Sequence, residues 1–167
     1  DHIAAIDNAT RKLMSEGQRP MSVGFWFSLG HSSVVFAMVM LVALGMRALY
    51  SNTSGSYNAA HGLQTLYSNT TGGGNTAIGA NALYYNTTGD DNTASGALAL
   101  FSNTTGSGNL AMGTSALLSN TTGSQNTASG ADALFNNTTG ISNTASGFEA
   151  LFSNSTGIQN TAIGVIA

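Results

Sequence analysis

Residues 65–81 read TLYSNTTGGGNTAIGAN, and residues 82–98 read ALYYNTTGDDNTASGAL. The two segments carry Leu, Asn, Gly, Asn, Ala and Gly at the same places, 17 residues apart. Extended in both directions, the unit recurs seven times without an insertion between residues 48 and 167, with the consensus A-L-[YF]-S-N-T-T-G-x-x-N-T-A-x-G-x-x. A fixed period of this kind is the signature of a repeat protein.

One unit offers only a few apolar positions, too few to fold by itself. Identical units that stack in register bury a continuous narrow core. Seventeen residues are too few for a pair of helices, but they suffice for two strands of about five residues and two turns. The sequence therefore predicts a mostly β protein, a parallel β-solenoid or β-roll with one repeat per coil over residues 48–167. A short helix at A-x-x-L-[YF]-S is the competing interpretation, although it would be barely two turns long.

The corners of each coil are expected at the N-T-T-G and N-x-x-G-like segments. Glycine and asparagine there provide left-handed backbone sites and side-chain turns. Stacked asparagines are expected to bond from neighbour to neighbour as ladders, which offsets the small hydrophobic mass of each unit.

The composition of the repeats excludes several functions. Residues 48–167 contain no Lys or Arg, so they cannot neutralise phosphates, and nucleic-acid binding is excluded. The chain has no cysteine. It shows no Ser-His-Asp set, no paired catalytic carboxylates and no phosphate-binding loop, because the glycine spacing follows the repeat. We therefore expect no enzymatic activity and no cofactor in the repeats.

The amino-terminal part has a different character. Residues 1–20 are polar and contain three of the four basic residues of the chain, whereas residues 21–46 contain no Asp, Glu, Lys or Arg. This apolar stretch exceeds the roughly 20 residues needed to cross a bilayer. The sequence predicts a hydrophobic transmembrane helix at 21–47, and the positive-inside rule places residues 1–20 in the cytoplasm and the repeats outside.

Two motifs in this part resemble a known family. The segment DHIAAIDN at residues 1–8, followed by TRKLM at 10–14, and the segment FSLGHSSVV at 27–35 are similar to the nickel/cobalt transporter (NiCoT) family, which carries a His-x4-Asp-His motif and a Leu-Gly-His-Ser motif on successive transmembrane helices. The resemblance covers residues 1–46. It implies handling of Ni²⁺ or Co²⁺, both of which imidazole suits as a ligand. The positions implied to handle the metal are Asp1, His2 and His31.

The repeats carry a second resemblance. The segment NTAIG at residues 75–79, which recurs at 160–164, is similar to the head repeats of trimeric autotransporter adhesins. The whole unit also resembles repeats in phage tail fibres. These resemblances over residues 48–167 imply a β-roll that projects from a surface, forms trimers and binds a glycan or matrix ligand.

Two sets of residues in the repeats are candidate sites. Each N-T-T-G corner is an N-x-[ST] sequon, which is either a glycan acceptor or simply part of the turn. The residue after the repeated Leu is aromatic in six of the seven units, and this column either lies in the core or faces outward as an assembly surface. The sequon asparagines are Asn52, Asn69, Asn86, Asn103, Asn120, Asn137 and Asn154, and the aromatic residues are Tyr50, Tyr67, Tyr84, Phe101, Phe135 and Phe152.

The sequence alone favours a non-catalytic structural or adhesive protein at the cell surface or outside the cell. It would be held at the membrane by residues 21–46 and would associate with itself into trimers or filaments. One alternative is a fragment of a nickel/cobalt transporter, in which residues 1–46 define the function. Another is a chimeric reading frame in which the two segments have no joint function.

Overall fold

The computed structural model describes residues 47–167, which belong to one compact unit, Gly45–Ala167. The polar segment predicted at 1–20 and, apart from Arg47, the hydrophobic helix predicted at 21–47 lie outside the described residues.

Each repeat contributes one short strand at its N-x-A-x segment. The seven strands form one parallel sheet in sequence order, with hydrogen bonds between consecutive strands only. Every pairing joins equivalent residues 17 apart, as in Ala77 opposite Ala94. The predicted parallel β-solenoid with one repeat per coil is confirmed. The strands are β1 (Ala59–His61), β2 (Thr76–Ile78), β3 (Thr93–Ser95), β4 (Leu110–Met112), β5 (Thr127–Ser129), β6 (Thr144–Ser146) and β7 (Thr161–Ile163).

The other side of each coil is built from turns, and the prediction of a second strand there was wrong. In the A-L-[YF] segment the leucine adopts a left-handed backbone, with φ of 52° at Leu83 and at Leu100. The backbone still bonds from coil to coil, because the Leu83 N–H donates to the Ala99 carbonyl at 3.0 Å. The alternative of a short helix is wrong as well, since residues 47–167 contain no helix.

A left-handed leucine is unusual because its Cβ crowds the backbone, at a cost of about 1–2 kcal/mol. Here the leucine side chain points into the coil and is fully buried. Burying such a side chain contributes about 1.5–3 kcal/mol, so burial together with the inter-coil hydrogen bond offsets the backbone cost.

The core is a narrow column of leucine and alanine. In each inner coil the repeated Leu, the residue before it (Ala, or Thr65 in the second coil) and the central Ala of the strand have 0% exposure. Small alanines allow the two sides of the coil to lie close together. The buried apolar residues are Leu66, Ala77, Ala82, Leu83, Ala94, Ala99, Leu100, Ala111, Ala116, Leu117, Ala128, Ala133, Leu134, Ala145 and Ala150.

Two columns of glycine permit the close stacking of coils. The glycine after each strand has a positive φ, as at Gly79 with 124°, and a Cβ there would lie 2.6 Å from the Gly96 carbonyl oxygen. The glycine of the N-T-T-G corner does not have a positive φ, so the expectation of a left-handed site at that corner was wrong. It must be glycine because a Cβ would collide with the backbone of the next coil, as at Gly89 against the Gly106 carbonyl oxygen.

Candidate functional site

The sequon asparagines form a buried ladder along the solenoid. The Asn103 Nδ2 donates to Asn86 Oδ1 at 2.8 Å and to the Gly106 carbonyl at 2.9 Å. The Asn103 Oδ1 in turn accepts from Asn120 Nδ2 at 2.8 Å. With 0% exposure, this amide both closes its own N-T-T-G corner and ties three coils together.

The asparagine before each strand forms a second ladder. Both the backbone N–H and the Nδ2 of Asn109 donate to Asn92 Oδ1, each at 3.0 Å. The Asn92 Nδ2 donates to the Gly106 carbonyl at 2.8 Å, which also accepts from Asn103 Nδ2. One carbonyl therefore joins the two ladders, and both of its lone pairs are used. The predicted asparagine ladders are present, and they run through the interior.

This interior position bears on glycosylation. A glycan is attached through the Asn Nδ2, and in the inner coils this atom is buried and already donates two hydrogen bonds. In the folded solenoid these amides are out of reach of a glycosylating enzyme. Among the sequon residues, the two in the terminal coils are part-exposed, namely Asn52 and Asn154.

The aromatic column faces outward and forms a ridge along the solenoid, which we call the aromatic ridge. Its side chains are half-buried except that of Tyr50, which is 63% exposed. Tyr50 and Tyr67 stack at 5.1 Å between ring centroids, and Tyr67 and Tyr84 at 5.0 Å. Because each ring covers the face of the next, the ridge presents ring edges to the solvent. The Arg47 guanidinium lies 5.2 Å over the Tyr50 ring.

The aromatic ridge is interrupted in the fifth repeat, where Leu118 takes the place of a ring. Phe101 stacks on Tyr84 and Phe135 stacks on Phe152, but the two stacks do not meet. Leu118 is only half-buried, so a larger side chain has room to extend outward there.

We expect Leu118→Phe to raise the stability of the solenoid by about 1 kcal/mol, because it adds a ring that stacks on both neighbours. Thermal unfolding followed by circular dichroism checks this. Leu98→Phe, which places the same change at a half-buried site outside the aromatic ridge, is the control and should give no such gain. A lower unfolding temperature for Leu118→Phe would contradict the stacked arrangement.

The residues implied to handle metal lie elsewhere in the chain. Asp1, His2 and His31 are outside the described residues. Within 47–167, no group of three His, Asp or Glu side chains is arranged to hold a metal ion. Asp90, one of an adjacent acidic pair, instead accepts a hydrogen bond from the Gly73 N–H at 2.7 Å. Among the same residues there is no helix of the length and hydropathy needed to cross a bilayer.

The family is shown by comparison with known proteins. The family described as NicO, high-affinity nickel-transport protein, matches residues 1–135. The chain therefore belongs to this family of nickel-transport proteins, which confirms the resemblance carried by the DHIAAIDN and FSLGHSSVV segments.

Individual relatives point to the same family. The chain is similar to the nickel transporter NicT of Mycobacterium tuberculosis, at 52% identity over 61 residues, which cover 36% of this chain and 16% of the relative. It is similar to a high-affinity nickel transport protein of Cupriavidus necator, at 64% identity over 44 residues, or 26% and 12% of the two chains. It also resembles the cobalt transport protein NhlF of Rhodococcus rhodochrous, at 55% identity over 49 residues, or 29% and 14%.

The matched segments are short. The chain spans about one sixth or less of the length of these curated relatives. No solved structure matches the chain.

Proposed function

We propose that this chain contributes a metal-handling segment to the transport of nickel or cobalt across a membrane. The observation that carries the proposal is the family match over residues 1–135, together with relatives named as nickel or cobalt transporters. Residues 21–46 would hold the chain in the membrane, and the repeats would lie on the extracytoplasmic side.

The chemistry of three residues supports this proposal. His31 lies in an apolar segment and is followed by Ser32 and Ser33. Ionisable side chains in such segments are rare, and ion pathways are among the functions that they serve. Imidazole and carboxylate are suitable ligands for Ni²⁺ and Co²⁺, so Asp1, His2 and His31 would receive the metal as it passes.

Nickel uptake by cells that produce the full chain tests the proposal. We expect His31→Ala and His2→Ala each to reduce accumulation of radioactive nickel to the level of cells without the protein, because each removes an imidazole ligand. The chain contains three histidines, and the third, His61, is exposed on β1. His61→Ala is the matched control and should leave uptake unchanged. Equal uptake by all three variants, or no uptake by the unmodified chain, would refute the transport role.

A structural or adhesive role for the repeats is the second candidate. It is favoured by the in-register solenoid with its aromatic ridge and by an exposed column of threonines, such as Thr88, Thr105 and Thr122. Such an array would act at the cell surface as a non-catalytic rod that binds other copies or a glycan or matrix ligand.

Labelling of intact cells tests the location that this second role requires. The chain has no native cysteine, so Thr122→Cys introduces a single thiol on an exposed column. A membrane-impermeant maleimide should label this variant on intact cells as fully as on lysed cells. Ala111→Cys, which is buried in β4, is the control and should resist labelling in both. If Thr122→Cys reacts only after lysis, the repeats are not at the surface.

A further inference from the structure

The outward side of the sheet carries no charged side chain. Each strand presents its first and third residues outward, and the second residue after the strand is also exposed along the border in most coils. None of the residues in these three columns is Asp, Glu, Lys or Arg. Several are large apolar side chains open to solvent: Leu63 at 43%, Ile78 at 50%, Met112 at 46% and Phe148 at 45% exposure. This surface is called the sheet face below.

The aromatic ridge is a weaker candidate for an interface than the sheet face. Its rings stack on one another and are half-buried, so much of their apolar area is already covered within the chain. The side chains of the sheet face have no such cover among the described residues. Large apolar side chains exposed together on one face of a protein are typical of an interaction site.

The third residues of the strands form the central column of the sheet face, and their side chains differ in size from strand to strand. Along β1 to β6 the third residues of the strands are large, large, small, large, small and small, and β7 adds a seventh, large residue, Ile163, beyond these six. Reversing the order of the first six exchanges large for small at each of their places. These residues are His61, Ile78, Ser95, Met112, Ser129 and Ser146.

We infer that the sheet face pairs with the sheet face of a second copy of this chain. A two-fold axis parallel to the strands, between β3 and β4, places β1 opposite β6, β2 opposite β5 and β3 opposite β4 of the partner. Each large side chain of the central column then faces a serine, so that Ile78 meets the second copy's serine at position 129. Such an isologous contact is self-complementary.

The regular spacing of the strands in the sheet face favours a second copy of this chain as the partner. Neighbouring strands lie about 4.8 Å apart, so the ridges and hollows of the sheet face repeat at that spacing. Only a surface with the same spacing can interlock with it over six strands. Another copy has both the spacing and the reversed order of sizes. The inference rests on the solenoid alone and does not depend on metal transport.

The area of the sheet face indicates how tightly two copies would bind. Six strands at about 4.8 Å and a width of about four residues at about 3.3 Å give roughly 400 Å² per partner. This is about half of the roughly 800 Å² per partner in a standard interface. The dimer is therefore weak and concentration-dependent.

Charge substitution at Ile78 and Ser129 tests the pairing. These positions are three strands apart within one chain, about 14 Å, but they oppose each other across the two-fold axis. Sedimentation of the full chain in mild detergent, over a range of concentrations, should show a monomer–dimer equilibrium for the unmodified protein. Ile78→Lys alone should weaken dimerisation at least tenfold, because it buries an unpaired ammonium group. Ser129→Asp alone should do the same with a carboxylate.

Mixing the two variants distinguishes this pairing from any other association. Ile78→Lys mixed with Ser129→Asp should recover dimers, because the new charges face each other between chains. Gln125→Lys, which adds the same charge at an exposed site off the sheet face, should dimerise like the unmodified protein. A monomeric unmodified chain, association that the Ile78 and Ser129 variants leave unchanged, or failure of the mixture to recover dimers would each overturn the inference.

Discussion

Asn103→Asp is expected to destabilise the solenoid by about 3–5 kcal/mol at neutral pH. The substitution keeps the size of the side chain but replaces its two N–H donors with an oxygen. That oxygen would face two acceptors, Asn86 Oδ1 and the Gly106 carbonyl, and neither of them can donate a hydrogen bond to it. The site has 0% exposure, and an uncompensated buried charge costs about this much.

The effect should depend on pH in a defined direction. Burial and neighbouring acceptors disfavour the ionised form, so the pKa of the introduced carboxyl is raised in the folded state above its unfolded value of about 3.9. Below that unfolded pKa the carboxyl is neutral in both states and the charge penalty is absent. The penalty grows as the pH rises from there to the folded pKa. Thermal unfolding between pH 3 and pH 8 should show the variant falling further below the unmodified chain as the pH increases.

A matched substitution in the last coil isolates the role of burial. Asn154 belongs to the same ladder but is half-buried, and its Nδ2 bonds Asn137 Oδ1 at a longer 3.2 Å. Asn154→Asp should cost about 1 kcal/mol or less and depend little on pH. Equal losses for the two variants would contradict the internal ladder.

Gly113→Ala should be the second severe change, at about 3 kcal/mol or more. Gly113 follows β4 with φ of 138°, a conformation that costs an L side chain about 1–3 kcal/mol. In addition, a Cβ there would lie 2.5 Å from the carbonyl carbon of Gly130 and closer still to its oxygen. The next coil would have to move away, which breaks its own backbone hydrogen bonds.

The last coil again supplies a control. Gly164 is the equivalent residue with φ of 137°, but a Cβ there would meet only the Ala167 Cβ, at an ordinary 3.6 Å. Gly164→Ala thus carries the backbone strain without the collision, and we expect it to lose only that strain, about 1–3 kcal/mol, and therefore less than Gly113→Ala. Chemical denaturation of both variants measures the difference. Losses of the same size would mean that close stacking of the coils does not require the glycine column.

The repeat made the parallel stacking predictable, whereas the path of the chain within a coil was not. A period of 17 without insertions requires that Ala77 lie opposite Ala94, whatever the local backbone. The left-handed leucines were unpredictable because intrinsic propensity excludes Leu83 from such a conformation. Only the combined burial and bonding to the Ala99 carbonyl in the next coil stabilise it.

The candidate sites were also predictable where they depend on the repeat period and unpredictable where they depend on the path of the chain within a coil. The asparagine ladders were predictable because an identical polar residue recurs in every coil, but the sequon pattern gave no sign that Asn103 is fully buried. The outward position of the aromatic ridge was one of two open alternatives, and it depends on the turn geometry around Leu83 and Tyr84. The proposed pairing of the sheet face depends on which strand residues point outward. The sequence alone does not give this; the exposure of each strand residue in the structure does. Asp1, His2 and His31 came from motif resemblance alone and lie outside the described residues.

Distances between spin labels along one exposed column test the stacking of coils most directly. The chain has no cysteine, so pairs can be introduced at Thr71 with Thr122, Thr139 or Thr156, which are exposed at equivalent places of the repeat. Electron–electron double resonance should give distances that increase by about 4.8 Å for each added repeat, near 14, 19 and 24 Å. Broad distributions, or an increase per repeat of twice that value or more, would contradict a solenoid of in-register coils.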